Sequence, residues 1–301
     1  MARRNRKKSG WNSWFGKTIT ILAIFTLLSS SLMLIYEVAM DMKAVDSTNK
    51  VQALYYGTTA QAEETEEAAP TEAPEEDAIE IPMLSPEELL EPVLQPQFEV
   101  LYAENNELIG WIKVDDIIDY PIVWRENDND FYMDHDYFGD YSQAGWIFLD
   151  KRNTPDMEGD NLLIYGHNMK NGEMFGELDR YRKLDYFKER PFIELQSAWE
   201  PEARKYVIIS MFDASMNKSD SSYIKITHFD FETPELKQEF IDKLYKRSIF
   251  DIPVETIADD QLVILVTCSY SHNNGRFLVV ARELREDETE QQIIDAYNTM
   301  K

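Results

Sequence analysis

The chain has 301 residues, and its 30 lysines and arginines against 56 aspartates and glutamates give a net charge of −26. That balance argues against a nucleic-acid partner, which needs a basic face. A single cysteine, Cys268, excludes an internal disulfide and leaves intermolecular pairing or a free thiol.

The first element is apolar. Residues 18–36, TITILAIFTLLSSSLMLIY, carry no charge, and at 1.5 Å per residue they span roughly 28 Å of helix against a hydrocarbon core of about 30 Å. Arg3, Arg4, Arg6, Lys7, Lys8 and Lys17 precede them, so the positive-inside rule leaves the N-terminus in the cytoplasm and exports the rest. A cleaved signal peptide is the competing reading. Its apolar core is usually about 7–15 residues and is followed by a small-residue cleavage site that this sequence lacks. The expectation is a cytoplasmic segment 1–17, a transmembrane signal-anchor 18–40 and an extracellular remainder, a single-pass protein of the cell membrane.

Between Ala60 and Glu91 stand twelve acidic residues with no lysine or arginine, interspersed with Pro70, Pro74, Pro82 and Pro86. Such a stretch cannot bury a core and self-repels, so residues 41–84 read as a solvated linker. Residues 85–301 have the size of one domain. Ser85-Pro86 resembles a helix start, leading into a short helix within Leu89 to Leu108.

After Gly110 the pattern turns to short β-rich runs separated by turn residues: Trp111 to Val114, Pro121 to Trp124, Gly145 to Leu149, Asn161 to Tyr165, Tyr206 to Phe212, Tyr223 to Thr227, Leu262 to Thr267 and Phe277 to Arg282. Many short strands with turn signals predict a sandwich or barrel, and the unalternating LVILV before Thr267 predicts a strand covered on both sides. One helix interrupts the strands. Thr233 is its expected N-cap, Pro234 its first residue, and Leu236, Phe240, Ile241, Leu244 and Tyr245 its apolar face. Asp287 to Lys301 reads as a further helix lying on the surface.

Cys268 ends the LVILV strand, and Arg276 opens the next. If the two strands pair as a hairpin, about 4.8 Å apart, thiol and guanidinium lie side by side, a setting that favours thiolate. A buried structural cysteine beside a solvated arginine accounts for the same residues. A nucleophilic cysteine needs a proton carrier. Of the four histidines, His135 lies in a charged loop, His228 follows a strand, and His272 sits in the loop between Cys268 and Arg276. His167 follows the strand NLLIY through Gly166, at a strand-to-loop position of the kind that functional residues occupy. One cysteine without clustered histidine or carboxylate spacing makes structural zinc a poor reading, and the absence of G-x-S-x-G counts against a serine hydrolase.

Taken in order, IYGHN after a strand, VTC about a hundred residues later and an arginine opening the next strand resemble the sortases, membrane-anchored cysteine transpeptidases of Gram-positive bacteria. The runs NNELIGWIKVDDIIDYPIVW, DNDFYMDHDYFG and GWIFLDKRN, with the helix before the last two strands, are similar to the class B branch. The resemblance implies a mainly β fold: a closed barrel of about eight strands with an N-terminal helix and that helical insertion. It also implies a triad of His167, Cys268 and Arg276, with Tyr165, Thr267 and Ser269 as substrate contacts. Val266 departs from the small polar residue that some class B members carry there.

The activity so implied is cleavage of a C-terminal sorting motif of secreted proteins after threonine, through a thioacyl-enzyme, and transfer to an amine of peptidoglycan or its lipid-linked precursor. Neither metal nor organic cofactor is needed. A membrane-tethered cysteine peptidase without transfer and a non-catalytic wall-binding barrel are the alternatives.

Overall fold

The structure, a computed structural model, describes residues 11–67, 92–269 and 275–301. The chain divides into two units, one ending at Lys43 and one from Ala44 to Lys301. The long helix α1 (Trp11–Glu67) belongs to both. Within Lys17–Gly57 it carries a window long and apolar enough to cross a membrane. Ile21, Phe25, Leu28, Leu32 and Ile35 of the first unit are all exposed.

The second unit begins earlier than the sequence suggests. Residues 44–56, which the sequence places in a solvated linker, form helix packed on the barrel: Ala44 and Val51 are buried, and Tyr55 stacks on Trp111 with centroids 4.0 Å apart. Tyr56 donates to Asp119 at 2.8 Å and the Gln52 side-chain amide to the Asp119 carbonyl at 2.9 Å. The twelve acidic residues that suggested a spacer all come after Gly57. The helix expected from Ser85-Pro86 starts outside the described residues; within them, a 3-10 turn, Pro96–Phe98, leads into the short α2 (Glu99–Glu104).

Eight strands close the barrel. In chain order they are β1 (Leu108–Val114), β2 (Ile118–Val123), β3 (Phe148–Leu149), β4 (Asn161–Tyr165), β5 (Phe192–Ser197), β6 (Arg204–Ser215), β7 (Leu262–Ser269) and β8 (Gly275–Glu283). They are arranged β1-β2-β3-β4-β7-β8-β6-β5. The pairs β2–β3 and β4–β7 are parallel and the rest antiparallel. The core strands are Val-, Ile- and Leu-rich runs that read as continuous because both faces are covered: Leu162 to Ile164, Leu262 to Val266 and Phe277 to Ala281 are all buried. Gly110 sits at a register shift between β1 and β2, where a Cβ would meet the Gln196 carbonyl at 2.2 Å.

The strand count matches expectation, but one member differs. β5, FIELQS, is absent from the expected strands, whereas Tyr223 to Thr227 is extended without a ladder. That segment alternates like a strand, with Ile224 and Ile226 buried. Side chains take its carbonyls instead of a neighbouring strand: Asn161 Nδ2 donates to Ile226 and His228, and Arg247 to Ser222 and Tyr223. Of Gly145 to Leu149 only Phe148–Leu149 is strand.

Two helices come after the short α3 (Leu184–Glu189). α4 (Pro234–Arg247) is capped as expected, Thr233 accepting from the Leu236 N–H. Its buried face is Lys237, Phe240, Ile241 and Leu244, while Leu236 is exposed. The apolar stripe is thus rotated, and the Lys237 ammonium is paired with Asp160 at 2.6 Å. α5 (Glu290–Asn298) starts at a capping box on Thr289. It docks rather than lying on the surface: Tyr297 is fully buried and donates to the Ile208 carbonyl at 2.6 Å.

Candidate active site

The parallel register of β4 and β7 brings the histidine and the cysteine to one level. Tyr165 pairs with Val266, and the Gly166 N–H continues the ladder to the Val266 carbonyl at 3.2 Å. His167 and Cys268 each stand two residues beyond that rung, on neighbouring strands about 4.8 Å apart. On the other side of β7 the antiparallel register pairs Cys268 with Arg276. The three backbones therefore converge at one end of the barrel, with the cysteine in the middle.

Gly166 makes the turn into His167 possible. A Cβ there would stand 2.7 Å from the Phe175 ring, a contact that real side chains do not make. Phe175 in turn is fully buried and donates its N–H to the His167 carbonyl at 2.9 Å. The loop from His167 to Phe175 is thus tied at both ends, with an Asn168–Met174 bridge across it.

A groove of about 220 Å³ opens over this end, lined by Asn129, Asp130, Met133, Phe148, Tyr165, Gly166, His167, Val266, Thr267 and Arg276. The imidazole is half-buried; desolvation, helped by the Arg276 charge, lowers its proton affinity below the ordinary 6.5, and Asp134 opposes this. Among the described residues, the only hydrogen bond of the Arg276 guanidinium is the one it donates to the adjacent Gly275 carbonyl, at 2.9 Å.

The expected substrate contacts fare differently. The Tyr165 ring stacks on Phe148 at 5.2 Å, while its hydroxyl is committed to Asp150 at 3.0 Å. Burial, then the Asp150 charge, pushes that phenol well up. Burial also works to raise Asp150, but Arg152, hydrogen-bonding both carboxylate oxygens at 2.8 and 2.7 Å, holds it below the usual carboxylate range. Thr267 is buried, with a hydroxyl that finds no partner among the described residues. The Ser269 side chain and His272 lie outside the described residues.

The remaining histidines stand apart from the groove. His135 stacks on Phe131 and bonds Asp134 at 2.7 Å; His228 packs on Phe231 and Phe240. The groove's other wall, Asn129, Asp130, Met133 and Phe148, lies in the runs DNDFYMDHDYFG and GWIFLDKRN, which carry the class B resemblance but in which the sequence singles out no residue for the site.

The sortase domain family matches residues 112–284. The chain belongs to the sortases. Sortase B of Listeria monocytogenes is 32% identical over 178 residues, covering 58% of this chain and 69% of that protein. Sortase B of Staphylococcus aureus is 29% identical over 195 residues, covering 64% and 76%. Among solved structures, sortase B from B. anthracis in complex with AAEK1 superposes with a TM-score of 0.56 at 31% identity, over 64% of this chain and 86% of that one. Together they make this a class B sortase, a cysteine-dependent transpeptidase whose closed barrel has the class B form.

Proposed function

We propose that this sortase joins secreted proteins to the cell wall with Cys268 as nucleophile, Arg276 as oxyanion donor and His167 as proton carrier. The observation that supports the assignment is the double register: β4 parallel to β7 and β7 antiparallel to β8 bring His167 and Arg276 to either side of Cys268.

The chemistry is that of the groups themselves. Sulfur attacks the carbonyl of a threonine in a C-terminal sorting motif and forms a C–S bond, as the carbonyl electrons move to oxygen. The Arg276 fork and a backbone N–H after Cys268 stabilise that oxyanion, and one such donor contributes roughly 3–4 kcal/mol. With its proton affinity lowered by burial, His167 accepts the thiol proton and then delivers it to the leaving amine as the C–N bond breaks. An amine of peptidoglycan or its lipid-linked precursor next attacks the thioester. A new C–N bond forms, the thiolate leaves, and the amine's proton returns through His167.

The half-buried, partly apolar groove favours a bound amine over water. The residues flanking the triad, Tyr165, Thr267 and Ser269, contact the motif. Residues 18–40 anchor the chain with the basic residues 1–17 in the cytoplasm and the barrel outside; an apolar helix near the N-terminus and the family's surface chemistry support this.

Intact mass of the protein, mixed with a panel of sorting-motif peptides and then with amine acceptors, tests the reading. A thioacyl adduct on Cys268 that is absent in Cys268→Ala and moves to the amine supports it. An adduct that only hydrolyses favours the peptidase. Failure of both peptides and a thiol reagent to label Cys268 in the folded protein favours the binding module.

A further inference from the structure

The turn of α1 just after the apolar stretch touches both loops that wall the candidate active site. Ser47 donates to Asp136 Oδ2 at 2.8 Å, and Asp136 Oδ1 accepts the N–H groups of Phe138 and Asp140. The Lys50 ammonium lies 3.7 Å over the Phe138 ring. These contacts hold the loop whose earlier part supplies Asn129, Asp130 and Met133 to the groove.

The neighbouring residue reaches the other loop. Thr48 is buried, and its hydroxyl donates to Glu173 Oε2 at 2.9 Å. The same carboxylate oxygen accepts from the buried Tyr120 hydroxyl at 2.7 Å, and that hydroxyl accepts the Met174 N–H at 3.2 Å. Met174 is buried with φ +56, a backbone state that a methionine keeps only when its surroundings hold it there. The next residue, Phe175, lies under Gly166 and bonds the His167 carbonyl. Thr48 is thereby linked to the His167 backbone through Glu173, the short run to Phe175, and one backbone hydrogen bond.

Resting on the function proposed for the triad, we propose that the turn Ala44–Val51 of α1 is a positioning element of the active site. Thr48 acts through Glu173 to fix the His167 loop, and Ser47 acts through Asp136 to fix the facing wall. Neither touches the reacting atoms. A hydroxyl is required at 48 because the acceptor is a half-buried carboxylate, which among the described residues would otherwise keep only Tyr120 as a side-chain donor.

Among the described residues the charges acting on His167 are Arg276 from β8 and Asp134 from the facing loop, whose Asp130 lines the same groove; none of these lies on α1. Loosening the loop admits water to the imidazole without changing this set of charges. Its titration then moves up toward the ordinary value, since burial is the first cause of its depression.

The test uses the full chain in detergent micelles, with Thr48→Val, Thr48→Ser and Ser47→Ala. Histidine ring NMR follows His167, assigned by His167→Gln, while acylation gives kcat and KM. Thr48→Val is expected to raise the His167 titration midpoint, leave that of His228 in place, and lower kcat roughly three- to tenfold at near-constant KM, because small misplacements of a catalytic group are costly. Ser47→Ala is expected to lower kcat in the same direction. Thr48→Ser is expected to restore both the midpoint and kcat. A Thr48→Val protein with lowered Tm but unmoved titration and kcat overturns the proposal, as does a Thr48→Ser that fails to rescue. Should the wild type form no thioacyl adduct, the transpeptidase function fails, and the titration alone decides the role of the turn.

Discussion

His167 and Arg276 differ in what the groove does to them. The imidazole's proton affinity is lowered first by burial and then by the Arg276 charge, so the folded protein binds fewer protons just below pH 6.5 than the unfolded chain does. Stability must therefore fall as pH drops through the ordinary histidine value toward the lower folded one. In the proposed mechanism turnover falls in the same direction, because a protonated His167 has no lone pair to accept the thiol proton. The acid limb of kcat/KM is expected to have its midpoint below the ordinary histidine value of 6.5. A limb at or above that value, with circular dichroism showing intact fold, contradicts the lowered proton affinity of the imidazole. Arg276 makes a different demand. Its proposed role needs a planar fork aimed at an oxyanion, which a lysine ammonium does not reproduce. Arg276→Lys is expected to lower kcat by about 10²–10³ with little change in Tm; near-normal kcat in that variant rules out the role.

Elements with local signals were legible, and elements held by distant side chains were not. Thr233-Pro234 announces α4, and the unbroken apolar runs announce β4, β7 and β8, because cap chemistry and burial on both faces are properties of the residues themselves. Tyr223 to Thr227 has a strand's alternation, yet the Ile226 carbonyl goes to Asn161, 65 residues away, and the Tyr223 carbonyl to Arg247, 24 residues away. Only the finished fold brings those donors near. The docking face of α1, with Ala44, Ser47, Thr48 and Val51, is small and half polar, so it shows no amphipathic stripe. The same long-range logic anchors α4. Lys237 is buried and its ammonium meets Asp160, which also accepts the Phe231 N–H. Removing the half-exposed partner of a buried ammonium costs more than replacing that ammonium by an apolar group. Asp160→Ala is therefore expected to destabilise by about 2–4 kcal/mol and Lys237→Met by under about 1 kcal/mol, measured by urea unfolding. The reverse order means that the pair is solvated in practice.

On the scale of the whole chain, the division at Ala44 gives the helical turn after the apolar stretch to the catalytic unit. The contacts are of the kind that stabilise a core: buried Ala44 and Val51, the Tyr55–Trp111 stack, and hydrogen bonds from Ser47, Thr48, Gln52 and Tyr56. Burying one valine and most of one tyrosine contributes about 3–5 kcal/mol before ordering costs. For a unit of this size each kcal/mol moves Tm by about 2–4 °C. A protein starting at Ala44 should therefore melt at least about 5 °C above one starting at Pro92, although both contain every strand of the barrel. It should also form the thioacyl adduct faster, because only the longer protein retains Thr48 against Glu173 and Ser47 against Asp136. Equal Tm values and equal acylation rates would mean that residues 44–56 are a passive tether, and that the catalytic unit begins where the acidic sequence ends.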